Sequence, residues 1–290
     1  MKVCIVGMGE IGSGLYSAMN SSGIDEIVGV DVNPKRVEAL KSRGFNVTSE
    51  IPLDQNVYVI SVLLSEQVVD VIVSNKLPEN ALIVVESTIA PGAANCIIGL
   101  KPWTKLVLFP HRYDPDSVEK HGFLNLSKDF VRVMGAANEK VKGEALEFYS
   151  RYLDTGFVHS TSMEVAELVK PLENAYRFLE IAVAEELKMI LDRKGIPFDE
   201  VRNAVNSKWN TNIKNAMNGI GRHCLPKDIR IMNSFLEGNS FFKTAIEAEQ
   251  EYRRYLAANG IEPAKVIETI GKDPGPVGAL IANSCKIALP

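Results

Sequence analysis

A cysteine at position 224, read as part of a loop with Gly219 and Gly221, stands four residues before an aspartate, in Gly219-Ile-Gly-Arg-His-Cys-Leu-Pro-Lys-Asp228. A thiolate is a strong nucleophile toward a carbonyl carbon, and Arg222, His223 and Lys227 are neighbours of the kind that raise the thiolate fraction. If Cys224 attacks an aldehyde produced by oxidation of an alcohol, a thiohemiacetal forms. Loss of a second hydride then gives a thioester, and water releases the acid. Asp228 is the candidate to position or deprotonate that water, while an inert, partly buried cysteine is the bland alternative. Lys170 and Asn174, four apart in Lys170-Pro-Leu-Glu-Asn174, share a helix face if Pro171 leaves the turn intact. An ammonium and a carboxamide on one face could hold a substrate hydroxyl and stabilise the alkoxide formed as hydride leaves. A solvated lysine and an asparagine bonding its own backbone are the alternative, which the apolar flanking residues weaken.

Oxidation needs a hydride acceptor, and the chain opens with a place for one. Lys2 to Val6 reads as an apolar strand, Gly7-Met-Gly-Glu-Ile-Gly12 as a tight turn, and the residues through Leu15 and Met19 as a helix. In that turn the first glycine permits the bend, the second lets a pyrophosphate approach the backbone, and the third allows helix to pack on strand. The helix N-terminus then offers free N–H groups to the phosphates. Asp31 closes a second strand 19 residues after Gly12, where a carboxylate accepts hydrogen bonds from a ribose and repels a 2′-phosphate. NAD is the expected cofactor, with Arg36 nearby keeping NADP open. Gly7, Met8, Gly9, Glu10, Ile11, Gly12, Asp31, Arg36 and Val62 are the candidate cofactor-binding residues.

The elements that must position these groups follow from apolar patterning. Strands are expected at Ile27 to Val30, Val57 to Val62, Ala81 to Val85, Lys105 to Phe109 and Phe130 to Met134, with another near Val158. Helical spacing begins at Asn33-Pro34 and recurs over Glu66 to Ser74 and Glu139 to Leu153. The alternation predicts an α/β protein, a Rossmann-type doubly wound parallel sheet followed by an all-helical second domain. The boundary is expected at 160/161, giving a 1–160 NAD-binding domain and a 161–290 helical dimerisation and substrate domain. That second domain begins with a long central helix, Met163 through Lys194, reaching about 45 Å at roughly 1.5 Å per residue. Pro171 either bends it or divides it. Phe198 to Ala258 is again mostly helical, and Gly271 to Gly278 is a turn.

Composition narrows the function classes. With 290 residues, 46% apolar content and a net charge of -4, the chain is long enough for two moderate cores and lacks the basic stripe of a nucleic-acid or membrane-surface binder. No run approaches a membrane span and the first strand begins at Lys2, so a cytoplasmic protein is expected. Cysteines 4, 96, 224 and 285 lack metal-site spacing, and no metal is expected. Cys4 belongs to a strand core. The long apolar-faced helix predicts a homodimer.

Taken together, Gly7-x-Gly-x-x-Gly12, Glu86-Ser-Thr-Ile-Ala-Pro-Gly92, Glu167-Leu-Val-Lys-Pro-Leu-Glu-Asn174, Ala184-Glu-Glu-Leu187 and Cys224-Leu-Pro-Lys-Asp228 resemble the UDP-glucose/GDP-mannose dehydrogenase family. The matches run in the family's order over nearly the whole chain. The resemblance implies an NAD-dependent four-electron oxidation of an alcohol to an acid, with Cys224 as nucleophile, Lys170 and Asn174 as the oxyanion-stabilising pair, and Asp228 as the carboxylate that activates water. It also implies that Thr88 lies near the cofactor, that Lys227 lies beside the nicotinamide-facing loop, and that the central helix forms dimers. Two departures stand out. Where the family has a catalytic glutamate after a proline, Phe109-Pro-His-Arg-Tyr-Asp114 has His111, an acid or base suited to neutral pH, with Asp114 and Asp116 as other substitutes. Only 62 residues follow Asp228, so the family's third, nucleotide-binding domain is expected to be missing. The length and the Lys-x-x-x-Asn spacing are also similar to β-hydroxyacid dehydrogenases, whose single hydride transfer needs no thiol. The substrate is therefore a small molecule, sugar nucleotide or hydroxyacid, and a non-catalytic NAD-binding protein is the third possibility.

Overall fold

The computed structural model of the chain describes residues 1–24, 26–112, 130–236 and 240–267. The expectations attached to Asp114, Asp116 and the 271–278 turn lie outside the described residues. Among those described, the chain divides into two compact units, one running through Lys170 and the other starting at Pro171.

The first unit is built from short apolar runs rich in β-branched residues, which favour extended backbone and bury both faces. In chain order it comprises Val3–Val6 (β1), Glu10–Ser21 (α1), Ile27–Val30 (β2), Pro34–Lys41 (α2), Val47–Thr48 (β3), Val57–Ile60 (β4), Ser65–Ser74 (α3) and Leu82–Val85 (β5). Ala93–Leu100 (α4), Lys105–Leu108 (β6), Arg132–Ala136 (β7), Glu139–Tyr149 (α5) and Val158–Thr161 (β8) follow. The sheet order is β3-β2-β1-β4-β5-β6-β7-β8. All pairings are parallel except β6 with β7, where Leu108 faces Gly135. The strand order reverses between β1 and β4, and the crevice at the carboxyl ends of the strands there is where this architecture binds ligands.

Strand periodicity of two sorts the core into two layers. Val3, Ile5, Val57, Val59, Leu82 and Val84 pack with Leu15, Met19 and Phe148 on one face. Cys4, Val6, Tyr58, Ile60, Ile83 and Val85 pack with Val68, Ile72 and Ile97 on the other. Cys4 is a core residue whose thiol is pushed up to about 12 by burial.

Three features depart from the sequence pattern. Helix α4 has no polar face in Ala93-Ala-Asn-Cys-Ile-Ile-Gly-Leu100, so no 3.6-residue contrast marks it. Strand β3 has two residues, too few for an alternation. Helix α5 stops at Tyr149, before Leu153, with Ser150 as its C-cap.

Met163–Arg193 forms one uninterrupted helix (α6) with Pro171 inside it. The proline costs a single backbone bond, to the carbonyl four residues earlier, and the flanking turns continue. The first unit runs past 160 because the first turns of α6 belong to it: Met163 and Ala166 join the sheet core, and the Glu167 carboxylate accepts from the backbone N–H of Gly92 (2.7 Å) and Ala94 (2.8 Å), capping α4.

The second unit contains the rest of α6 with Phe198–Asn206 (α7), Cys224–Phe235 (α8) and Phe241–Ala258 (α9). Met189, Tyr252 and Leu256 form a buried cluster there. No helix among the described residues is long and apolar enough to cross a membrane.

Gly135 tests the docking of β7. A Cβ there would lie 2.7 Å from Ala166 Cβ and 2.8 Å from Met163 Cα, so backbone would have to shift. Gly135→Ala is expected to lower stability by about 1–3 kcal/mol, measured by urea unfolding, and an unchanged midpoint would show that strand and helix are not in contact.

Candidate functional site

The turn between β1 and α1 uses its glycines for different reasons. Gly7 has φ +94°, and a Cβ on it would fall 2.3 Å from the Ser61 carbonyl oxygen, while one on Gly12 would fall 1.9 Å from the Gly7 carbonyl oxygen. The fold itself requires both. Gly9 differs, because a Cβ there would meet nothing nearer than the Arg36 guanidinium at 4.0 Å. Among the described residues, no side-chain cap bond is made at the Gly9 N-cap of α1 beside it. Open space over an uncapped helix N-terminus suits a phosphate, so these residues fit the pyrophosphate of a dinucleotide.

Asp31 directly follows β2 and is buried. Its Oδ2 accepts from the Met8 N–H (3.0 Å) and from Arg36 (3.2 Å), and its Oδ1 accepts from the Asn33 N–H (2.9 Å). The carboxylate thus holds the glycine turn while facing the same end of the sheet. Met8 contributes backbone to that surface, since its side chain is buried against Gly29. Glu10 is exposed in the first turn of α1, and Ile11 packs against the core. Val62 follows β4, and its carbonyl accepts from Ser87 Oγ at 2.6 Å, which brings Thr88, half-buried after β5, to the neighbouring strand end.

His111 follows β6 and is buried in a polar network. Its Nδ1 is 3.0 Å from Glu86 Oε2, and its backbone N–H donates to the Glu86 carbonyl at 2.9 Å. Arg132 donates to the same Oε2 at 2.6 Å, and Tyr149 Oη donates to Oε1 at 2.6 Å. Burial works against the charge on Glu86, but Arg132 and the bonds from His111 and Tyr149 hold its carboxyl below the usual range. Burial also lowers His111; its bond to Glu86 opposes this, while Arg132 and Lys170 add to it. Lys170 is therefore close enough to His111 to act on it electrostatically.

In the second unit Asp228 is 1% exposed, with both carboxylate oxygens engaged. Asn174 Nδ2 donates to Oδ2 at 2.6 Å and Lys227 Nζ to Oδ1 at 2.5 Å. Three expected site residues thus meet in one cluster, with the Lys227 ammonium turned to its neighbour Asp228. Cys224 is exposed and is the first residue of α8, not part of a loop. Pro226 in the first turn does not break that helix, because the N–H it lacks has no partner there. Cys224 Sγ lies 3.4 Å from His223 Nε2.

A second cluster supports the segment before the cysteine. Glu249 accepts from the Ile220 N–H (3.1 Å) and pairs with Arg253, which donates to the carbonyls of Ile220 (2.6 Å) and Ala264 (2.8 Å). Glu185 is fully buried beside them. Burial pushes its carboxyl up to about 8, with the Glu249 charge adding to the effect and Arg253 and the Gly219 N–H opposing it. The native state therefore holds this proton more tightly than the unfolded chain. The stabilisation is complete below the ordinary carboxyl range and is lost as pH rises toward 8.

Sequence alone assigns no role to Glu86, Arg132, Tyr149, Glu185 or Glu249, and it reads Arg253-Arg254 as a solvated helix face, whereas Arg253 is bonded into this partly buried cluster. The available signal was a charged residue inside an apolar run, as with Arg132 in Phe130-Val-Arg-Val-Met134. Among the described residues no group of three or more His, Cys, Asp or Glu side chains is placed to hold a metal ion.

Two expectations follow from this geometry. Gly9→Ala should fold with a melting temperature close to that of the parent, yet lose dinucleotide affinity at least about tenfold by calorimetric titration, whereas unchanged binding would remove the pyrophosphate from this turn. Glu185→Gln should match the parent near pH 4.5 and exceed it by on the order of 3 kcal/mol at pH 9. Parallel urea midpoints across that range would mean that Glu185 carries no shifted proton.

Comparison with known proteins finds similarities along most of this chain. The UDP-glucose/GDP-mannose dehydrogenase family, central domain, matches residues 164–238, and the TrkA-N domain matches residues 3–88. The UDP-N-acetyl-D-mannosamine dehydrogenase of Methanocaldococcus jannaschii is 28% identical over 95% of this chain and 70% of its own length. The UDP-N-acetyl-D-glucosamine 6-dehydrogenase of Salmonella typhi is 26% identical over 86% of this chain and 66% of its own. The solved structure of the UDP-D-ManNAc dehydrogenase of Pyrococcus horikoshii superposes with a TM-score of 0.73 at 24% identity, covering 91% of this chain and 73% of that one, a likeness of fold.

Proposed function

We propose that this chain, whose residues 164–238 match the central domain of the UDP-glucose/GDP-mannose dehydrogenase family, is an NAD-dependent oxidoreductase that takes a CH–OH group of a nucleotide sugar to the acid. The observation that carries this is Cys224 at the start of α8, one turn before an Asp228 held by both Lys227 and Asn174. The names of the relatives support a UDP-N-acetylhexosamine as the substrate class.

The bound nicotinamide supplies the chemistry of accepting hydride from the substrate carbon. Lys170 provides positive charge for the substrate oxygen. Asn174 spends one N–H on Asp228, and its amide has a second donor for that oxygen. His111, which burial holds below its ordinary range, supplies a neutral imidazole as base. The N-terminus of α8 and the basic side chains around it favour the thiolate of Cys224, which adds to the aldehyde carbon. After the second oxidation the carbon is a thioester. Asp228 takes a proton from water, the hydroxide adds, and the Cys224 thiolate leaves. One alcohol, one water and two NAD+ thus yield one acid, two NADH and two protons.

Asp31 favours NAD, since its carboxylate repels a 2′-phosphate and Arg36 is already bonded to it. Leu172, Tyr176, Val183 and Ile190 leave an apolar stripe exposed on α6, which supports a homodimer.

The test is NADH yield with NAD and UDP-N-acetylmannosamine, UDP-N-acetylglucosamine or small hydroxyacids. Two NADH per substrate are expected, with Cys224→Ala at least about 10³-fold slower in acid formation. One NADH, with Cys224→Ala fully active, would sink the covalent mechanism in favour of a two-electron oxidation. Binding of NAD with no turnover of any substrate would leave a non-catalytic binder.

A further inference from the structure

Two protonation patterns could place an imidazole Nδ1 at 3.0 Å from a carboxylate oxygen. Either Nδ1–H donates to an ionised carboxylate, or a protonated carboxyl donates to an Nδ1 lone pair. The second is excluded by the company Glu86 keeps. Its Oε2 also receives Arg132 and its Oε1 receives Tyr149, both at 2.6 Å, so each oxygen is already an acceptor and a buried guanidinium balances the charge. The proton between the two groups therefore sits on Nδ1. A doubly protonated imidazolium is disfavoured in its turn by burial and by two cations, Arg132 and Lys170. Neutral histidine in water prefers its proton on Nε2, so this network selects the opposite tautomer.

The support is rigid. Arg132 is 1% exposed, donates to the Phe109 carbonyl at 2.5 Å and lies with its Cζ 3.6 Å from the Phe109 ring centre. The His111 backbone N–H is bonded to the Glu86 carbonyl, so imidazole and carboxylate are tied at both main chain and side chain. Among the described residues, the groups that act on the imidazole include Glu86 after β5, Arg132 from β7 and Lys170 from α6. Tyr149, from the end of α5, acts on it through Glu86.

We propose that Glu86, clamped by Arg132 and Tyr149, is a positioning residue that fixes His111 as its Nδ1–H tautomer, so that Nε2 receives the proton released when the substrate alcohol is oxidised. The step balances. The O–H bond breaks and its proton goes to Nε2, the electron pair of that bond forms the C=O, and the hydride leaves the carbon for the nicotinamide ring. The resulting imidazolium is stabilised by the Glu86 carboxylate already bonded to Nδ1. This rests on the dehydrogenase function proposed above and adds to it the nitrogen that takes the proton and the residues that prepare it.

The chain has four histidines, so long-range proton–nitrogen correlation spectra of the ¹⁵N-histidine protein are resolvable, and His111→Gln assigns the resonance. Between pH 6 and 9 the intact protein should show His111 neutral, with Nδ1 protonated and Nε2 carrying the lone pair. Glu86→Gln and Tyr149→Phe should shift it toward the Nε2–H form. Glu86→Gln should also lower kcat about 10²-fold and displace the acidic limb of its pH profile, with KM nearly unchanged, and His111→Gln should lower kcat about 10²- to 10⁴-fold. An Nε2–H or cationic His111 in the intact protein overturns the positioning role whether or not any variant folds. The expected tautomer with undiminished kcat in His111→Gln overturns the proton transfer. Failure of the intact protein to oxidise any alcohol, with the tautomer as expected, counts against the dehydrogenase function and not against the Glu86–His111 pair.

Discussion

Glu86 carries a negative charge at the carboxyl end of β5, where its side chain is out of reach of water. Removing a carboxylate from water costs several kcal/mol even after relaxation, and only close, well-aligned partners offset it. Those partners come from separate elements. The antiparallel register that sets Leu108 opposite Gly135 carries Arg132, the first residue of β7, alongside the residues that follow β6. Helix α5 must end where Tyr149 can reach Oε1, and the chain after β6 must turn so that Phe109 offers a carbonyl and a ring to the guanidinium. One buried charge thus constrains the strand reversal, the end of a helix and the orientation of His111 together.

The other buried polar groups obey the same limit, and charge counting shows how. Glu86 with Arg132, beside a neutral imidazole and a neutral phenol, sums to zero. Asp228 with Lys227 and the Asn174 amide sums to zero. Glu185, Glu249 and Arg253 would sum to one negative charge if both acids were ionised, and the raised Glu185 carboxyl shows that a proton is held instead. Two buried glutamates therefore take opposite forms. Glu86 has a guanidinium to itself, whereas Glu185 shares one with a second carboxylate. Burial sets the penalty in both cases, and the number of cations per anion decides the protonation state.

This explains which parts were legible in the sequence. Apolar strands and the glycine turn are local patterns, and β1, α1, β2, β4 and β5 appear where Val3-Cys-Ile-Val6, Gly7 to Gly12 and their successors place them. Asp31 could be found by counting from Gly12. Glu86 could not be given a task, because its partners stand 25, 46 and 63 residues away and pair only through the fold. Helix α4 was hidden by its own uniformity, and β3 by its length. The proline in α6 was ambiguous because a lost backbone bond is tolerable when neighbouring turns pack well, which periodicity alone does not reveal. Asn174, Lys227 and Asp228 were each named, but their meeting at 2.6 and 2.5 Å depends on how α6 and α8 face one another.

Cys224 shows the same relation between local signal and tertiary constraint in its sharpest form. Gly219 and Gly221 make the sequence before it read as a loop, yet the segment before α8 is clamped. Arg222 has φ +62°, the one non-glycine residue among those described with a positive φ, a conformation that costs on the order of 1 kcal/mol and persists only where surroundings impose it. Its N–H donates to the Lys265 carbonyl at 2.9 Å, its carbonyl accepts from the Ile267 N–H at 3.1 Å, and a Cβ on Gly221 would sit 3.0 Å from Ala264. Glu249 and Arg253 hold Ile220 through its N–H and its carbonyl. A thiol on a mobile loop would sample many positions, whereas one at the first residue of a helix, entered through a pinned and strained turn, has few. The attack on a carbonyl carbon proposed for Cys224 needs that restriction, because misplacement by about 1 Å can cost a hundredfold in rate. The residues that read as punctuation are the ones that set the position of the Cys224 thiol.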